Sequence, residues 1–137
     1  MIAIEEVLGL EGRVRTPLDL VDLGAKGVLK KQVKHLGNVM CITSTTLAKL
    51  LAITPRTIQR QPEEKRFDRV VSERAINLAQ LIVKGIELFK DKDEFCAWLQ
   101  APCLALGSRT PISLLTSSVG VGMVNDLLGR MEYGVFS

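Results

Sequence analysis

Apolar residues at Val71, Ala75, Leu78, Ala79, Ile82, Ile86 and Phe89 recur with a period of about 3.6. This pattern predicts one long amphipathic helix from about Phe67 to Phe89. Shorter helical patterns flank it. Leu18, Leu20, Val21 and Leu23 predict a helix with Thr16 as N-cap and Pro17 at its first position, closed at Gly24. Val28, Val33, Leu36, Val39 and Met40 define a second, with Lys30, Lys31 and Lys34 expected on its solvent side. Ser44 or Thr45 caps a third running to about Leu51, and Thr54-Pro55 opens a fourth that Pro62 must stop.

Beyond the long helix, Asp91-Lys92-Asp93-Glu94 reads as a capping box ahead of Phe95, Trp98 and Leu99, with Pro102 ending that helix. Thr110-Pro111 repeats the N-cap and N1 arrangement before Ile112, Leu114 and Leu115. Val119, Met123, Val124, Leu127, Leu128 and Met131 predict a final amphipathic helix terminated at Gly134. Residues 1–15 have no clear period and stay unassigned. Alternating strand patterns and internal repeats are missing, so the expected class is all-α.

Composition sharpens this. At 137 residues the chain fits one compact domain, or two small helical modules sharing a core. Apolar residues reach 47% but aromatics only 4%, so the interior must be aliphatic, which suits helix packing. No run approaches the roughly 20 apolar residues of a bilayer span, and the first ten residues lack the basic start of a signal peptide. A cytoplasmic protein with no membrane association is expected. Cys41, Cys96 and Cys103 are odd in number and lack C-x-x-C spacing, so no disulfide framework or metal site is expected, only small buried hydrophobes.

The net charge of +3 is unevenly spread. Residues 26–62 carry Lys26, Lys30, Lys31, Lys34, Lys49, Arg56 and Arg60 with no Asp or Glu, whereas the first 25 residues are acidic and the remainder nearly balanced. Clustered cations reward phosphate neutralisation, so a polyanion partner is expected for that segment alone. A solvated basic face with no partner is the competing reading.

The same segment has the requirements of two helices crossing at a fixed angle. Ala48 is the small contact residue, Leu47, Leu51, Ile53 and Ile58 take inward positions, and Ala52 stands at the turn where Gly is preferred. Gln61 occupies a place where a further apolar residue is usual. The window "LLAITPRTIQR" resembles the helix-turn-helix of Xre-like repressors. With Ile58 inward, Arg56, Thr57, Gln59 and Arg60 point outward, and these types suit base edges and phosphates. Lys30, Lys34 and Thr45 join them as DNA-binding candidates. A packing unit with an unused or covered surface is the rival.

The stretch "ALGSRTPISLLTSSVGVGMVNDLLGRMEYGVFS", residues 105–137, is similar to the toxin-binding domain of Xre/MbcA/ParS-type antitoxins. Leu106, Gly107, Arg109, Pro111, Leu114, Leu115, Gly120, Val124, Leu127, Leu128, Gly129, Arg130, Gly134 and Val135 match its pattern. Ser108 replaces a second Gly, and Tyr133 stands where His is common. The resemblance implies an antitoxin that neutralises a RES-domain, NAD-consuming toxin and represses its own operon by binding operator DNA. It implies Arg109, Arg130, Glu132, Tyr133, Val135 and Phe136 as toxin-binding candidates. Independently, the tail from Arg130 combines charges and apolar anchors able to enter a neighbour's cleft, although Phe136 folding back on its own core is the alternative.

Enzyme readings fail on spacing. Gly120-Val121-Gly122 follows no strand and Asn125 stands where the third Gly of a dinucleotide fingerprint belongs. The two glycines are instead expected to mark a close helix contact. The lone His35 has no ordered catalytic partners, and Asp91, Asp93 and Glu94 are explained by capping. The expected organisation is an N-terminal arm over residues 1–16, a helix-turn-helix module over 17–66, and a small helical toxin-binding module over 67–137 that includes the long helix. No cofactor or catalysis is expected. Paired half-sites predict a homodimer within a larger toxin-antitoxin complex, and a stand-alone repressor whose C-terminal part only dimerises is the alternative.

Overall fold

The computed structural model describes residues 3–134; the Val135 and Phe136 assignments lie outside the described residues. Within that range nine α-helices and one 3-10 turn occur, with no β-strand, so the class is all-α. The elements are α1 (Ile4–Leu8), α2 (Pro17–Lys26), α3 (Lys30–Val39), α4 (Ser44–Leu51), α5 (Pro55–Arg60), α6 (Arg69–Phe89), α7 (Lys92–Gln100), α8 (Pro111–Leu114) and α9 (Ser118–Glu132). The 3-10 turn spans Leu104–Leu106 between α7 and α8.

The 21-residue α6 is the axis of the molecule, opened by the Asp68 carboxylate accepting from the Val71 amide at 2.9 Å. Helices α1, α2, α3, α4, α7 and α9 all pack on it. Its apolar stripe of Val71, Ala75, Leu78, Ala79, Ile82 and Ile86 is buried as the period required. A single continuous core runs from Val7 and Leu8 through Leu50 and Ile58 to Phe95 and Leu128. The halves of the chain therefore share one interior.

Several elements differ from the sequence expectation. The N-terminal arm contains α1, whose Val7 and Leu8 are fully buried against α3 and α6. The Glu5 carboxylate accepts from the Val14 amide at 2.7 Å and His35 Nε2 lies 2.6 Å from the Glu6 carbonyl, so the arm is folded onto the body. Helix α2 does not close at Gly24. It runs to Lys26, with Gly24 inside it against Glu73 and Ile76, and Gly27 closes it at φ +101°. A Cβ at Gly27 would lie 2.5 Å from the Phe67 carbonyl oxygen, so only Gly allows the α2–α3 link to pass that strand of backbone.

The N-cap of α4 is Thr43, one residue earlier than expected, because its hydroxyl reaches the Thr46 amide at 3.2 Å. Asp91 caps α7 through the Asp93 and Glu94 amides at 2.8 and 3.3 Å. The cysteines are not uniformly buried. Cys96 is buried, Cys103 half-buried and Cys41 exposed.

The final helix is amphipathic, but not with the expected inner face. Val124, Leu127 and Leu128 are buried, whereas Val119 is 74% and Met123 45% exposed. Gly120 causes this orientation. Its Cα sits so close to the Leu114 carbonyl that a Cβ would collide with that oxygen. Gly122, the second glycine expected at a close contact, instead faces open space.

Candidate nucleic-acid and partner interfaces

Thr43 starts α4, and Leu47, Ala48, Leu50 and Leu51 bury its inner side. Ala52 then takes a left-handed conformation, φ +59°, and its amide and that of Ile53 close the helix on Lys49 and Ala48. That is the turn conformation for which Gly is preferred, here adopted by an alanine. Thr54 caps α5 by accepting from the Thr57 amide at 3.1 Å, and the two hydroxyls lie 2.8 Å apart. Pro55 fills the first helical position.

Ile58 is 2% exposed and anchors α5 to α4, so the opposite face turns to solvent. Arg56, Thr57, Gln59 and Arg60 are all exposed. Thr45 and Lys34 are exposed as well, as is Lys49, which the sequence reading did not single out. Gln61 is half-buried, and its amide donates to the Lys65 carbonyl at 2.8 Å, which accounts for a polar residue at a usually apolar place.

Lys30 is the exception among the basic candidates. It was expected on the solvent side of α3, but it is 8% exposed, and its ammonium donates to the Gln59 carbonyl at 2.9 Å with Glu63 at 3.7 Å. A long apolar stem lets Lys bury its methylenes while the charge meets an acceptor at the helix C-terminus. Lys30 therefore holds α5 from beneath and does not face a ligand. Lys31 is exposed but lies 3.5 Å from Glu11.

In the C-terminal half, Cys103 and Arg109 form an antiparallel bridge around the 3-10 turn, with the Cys103 amide donating to the Arg109 carbonyl at 3.0 Å. This turn exposes Arg109 and leaves Leu104 90% exposed. Thr110 and Pro111 start α8 as expected, the Thr110 hydroxyl accepting from the Ser113 amide at 3.4 Å. Ser117 caps α9 through the Gly120 amide at 3.0 Å.

Successive helical positions Val119, Met123, Asp126, Arg130 and Tyr133 form one exposed stripe along α9. Tyr133 is 83% exposed, Glu132 lies beside it in solvent, and Lys84, Asn125, Asp126, Gly129, Arg130 and Tyr133 line an open groove of about 600 Å³. Two of the sequence candidates, Arg130 and Tyr133, thus share the stripe and the groove; Glu132 is exposed but lines neither, and Arg109 is on the separate turn before α8. Sequence reasoning missed Val119 and Met123 here, since their apolar character placed them in the core. The signal available was Gly120, whose contact sets the rotation of the helix.

Arg74 was also missed. From α6 it donates through Nε to the Leu50 carbonyl of α4 at 3.2 Å and through a terminal nitrogen to the Thr116 carbonyl before α9 at 2.7 Å. One guanidinium thereby joins the helix-turn-helix to the base of the exposed stripe.

A helix-turn-helix is thus joined by one long helix to a second helical unit, and each presents an exposed face. Family models agree: residues 19–80 match the antitoxin Xre-like helix-turn-helix domain, and residues 84–134 match the antitoxin Xre/MbcA/ParS C-terminal toxin-binding domain. Each half of the chain thus resembles the corresponding domain of Xre/MbcA/ParS-type antitoxins. The chain is 38% identical over 80 residues to the antitoxin Xre of Yersinia enterocolitica, covering 58% of this chain and 54% of that protein. The antitoxin Xre of Photorhabdus laumondii is 30% identical over 93 residues, covering 66% of this chain and 63% of that one. The matched stretch thus spans little more than half the length of these relatives. A crystal structure of the M. tuberculosis MbcT-MbcA toxin-antitoxin complex aligns with TM-score 0.58 and 21% identity, covering 79% of this chain and 96% of that one, and shows the same fold.

Proposed function

We propose that this chain is the antitoxin of a type II toxin-antitoxin pair. In this reading it binds and neutralises a RES-domain, NAD-consuming toxin in the cytoplasm and represses its own operon. The observation that carries it is the pairing, on one core, of an outward Arg56, Thr57, Gln59 and Arg60 with a separate exposed stripe on α9. Neither surface groups a nucleophile with a base and a stabiliser of charge, so action by docking fits better than catalysis.

Operator contact runs through α5 and the N-terminal end of α4. Arg56 and Arg60 can fork onto guanine, Gln59 onto adenine, and Thr45 and Lys34 can take flanking phosphates. Toxin contact runs through Val119, Met123, Arg130, Glu132 and Tyr133, with Arg109 nearby in sequence on the preceding turn. A homodimer follows from the pairing of operator half-sites, and the exposed Leu18 and Val21 of α2 with Val70 of α6 supply apolar surface for a second copy.

The test is co-expression with a RES-domain toxin encoded beside the gene, reading growth, cellular NAD and co-purification. Protection with a stable complex is expected. Unrelieved NAD loss, or no complex, rejects the antitoxin reading and leaves a stand-alone repressor. Operator affinity unchanged in an Arg56→Ala, Arg60→Ala double variant rejects the DNA assignment.

A further inference from the structure

Cys41 and Cys96 come from opposite halves of the chain and meet at one backbone carbonyl. Cys96, buried on α7, donates its thiol to the Val39 oxygen at 3.3 Å, and the Cys41 thiol approaches the same oxygen at 3.9 Å. Sharing that one oxygen places the two thiols side by side.

The backbone adds a second, independent observation. Cys41 lies just past the end of α3 at φ +58°, where the Ile42 amide returns to the Gly37 carbonyl at 3.1 Å. Such a closure favours Gly at the left-handed residue, and an L side chain there is strained. An exposed thiol held at a position suited to Gly, and sharing a carbonyl oxygen with a buried thiol, points to use of the sulfur.

We propose that Cys41 and Cys96 are a reversible redox pair that closes to an intramolecular disulfide on exposure to a peroxide. Cys41 is the accessible member and reacts first. Its thiolate attacks a peroxide oxygen, the O–O bond breaks, and a sulfenic acid forms as hydroxide leaves to become water. Cys96 sulfur then attacks the Cys41 sulfur, forming the S–S bond and expelling the second hydroxide, which takes up the Cys96 proton as water. Two thiols are oxidised and one peroxide is reduced to two waters.

Burial and the neighbouring Cys41 push the Cys96 thiol up to about 12. This agrees with the order set by exposure, in which the accessible Cys41 reacts first and the buried Cys96 second. A pair that opens again under cytosolic reductants is the form of disulfide expected in a reducing compartment. Closure ties the entry of α4 to α7, fastening the helix-turn-helix to the C-terminal half.

The test uses the full reduced chain, freed of reductant and exposed to hydrogen peroxide. An intact-mass loss of about 2 Da without dimerisation, restored by dithiothreitol, is expected. The oxidised chain should give a linked peptide pair containing Cys41 and Cys96 and melt more than about 5 °C higher. Cys41→Gly suits the left-handed backbone, so it should fold well and lose the mass change, while Cys103→Ser should keep it. Stepwise gains of about 16 Da with no loss of 2 Da, or a covalent dimer through Cys103, overturn the proposal.

Discussion

Lys30 donates its ammonium to the carbonyl of Gln59, the penultimate residue of α5, at 2.9 Å from a position that is 8% exposed. The cation lies under α5, so part of the basic character of this segment stabilises the helix that carries Arg56, Thr57, Gln59 and Arg60. Lys34, one turn along α3, is exposed.

These two lysines separate structural from electrostatic roles. Lys30→Ala leaves the Gln59 carbonyl without that donor, and a loss of about 1–3 kcal/mol in stability is expected by thermal or denaturant unfolding. Lys34→Ala should leave stability within about 0.5 kcal/mol and reduce the slope of log affinity against log salt on operator DNA by about one. Equal effects of both on unfolding would contradict the assignment.

Ala52 holds a left-handed turn at φ +59°. Ala52→Gly should stabilise the protein by about 1 kcal/mol, since relief of the Cβ clash exceeds the added entropy of the unfolded chain. Operator affinity should not change. A lower melting temperature would mean that the Ala52 methyl makes a packing contribution the turn cannot spare.

The two glycines of α9 test its docking. A Cβ at Gly120 would strike the Leu114 carbonyl, a backbone group that cannot rotate away, so Gly120→Ala should cost about 3 kcal/mol or more. At Gly122 nothing lies within 4 Å, and Ala there should add up to about 1 kcal/mol through helix propensity. Opposite signs in paired melts are the expected outcome.

Asp19 accepts from the Arg15 and Thr16 amides at 2.7 and 3.1 Å, and these bonds hold its carboxyl below its ordinary value of 3.8. A depressed folded-state value means stability that is fully present above the unfolded value and fades as pH falls through the folded one. Wild type should therefore lose an increment below about pH 4 that Asp19→Asn lacks at every pH. Parallel pH-stability curves for the two proteins would show that the bonds contribute nothing.

Local rules made most of this fold legible. The 3.6-residue period located α6, and proline with threonine located the starts of α2, α5 and α8, because those signals act within one turn of helix. What escaped depended on contacts between distant segments. Gly24 looks like a helix stop until Glu73 and Ile76 are seen against it, and the five-residue α1 is too short to display a period although Val7 and Leu8 are buried. Lys30 reads as a surface cation because nothing in α3 announces the carbonyl of Gln59. Arg74 has no local signature, since its acceptors at Leu50 and Thr116 lie far away in sequence.

Val119 and Met123 carry the last prediction. They are 74% and 45% exposed and share a stripe with Arg130 and Tyr133, which makes an apolar surface of the kind a partner can cover. Their rotation away from the core is imposed by Gly120 against Leu114, so removing them should not disturb the fold. Val119→Asp with Met123→Glu should leave the melting temperature within about 2 °C, because both side chains already meet water. Partner capture should fall at least about 100-fold, the cost of placing two carboxylates in an apolar contact, with operator affinity retained. A double variant that still protects cells and co-purifies with the toxin at wild-type yield would move the contact surface off this stripe, leaving the Arg109 turn as the next surface to examine by the same pair of measurements.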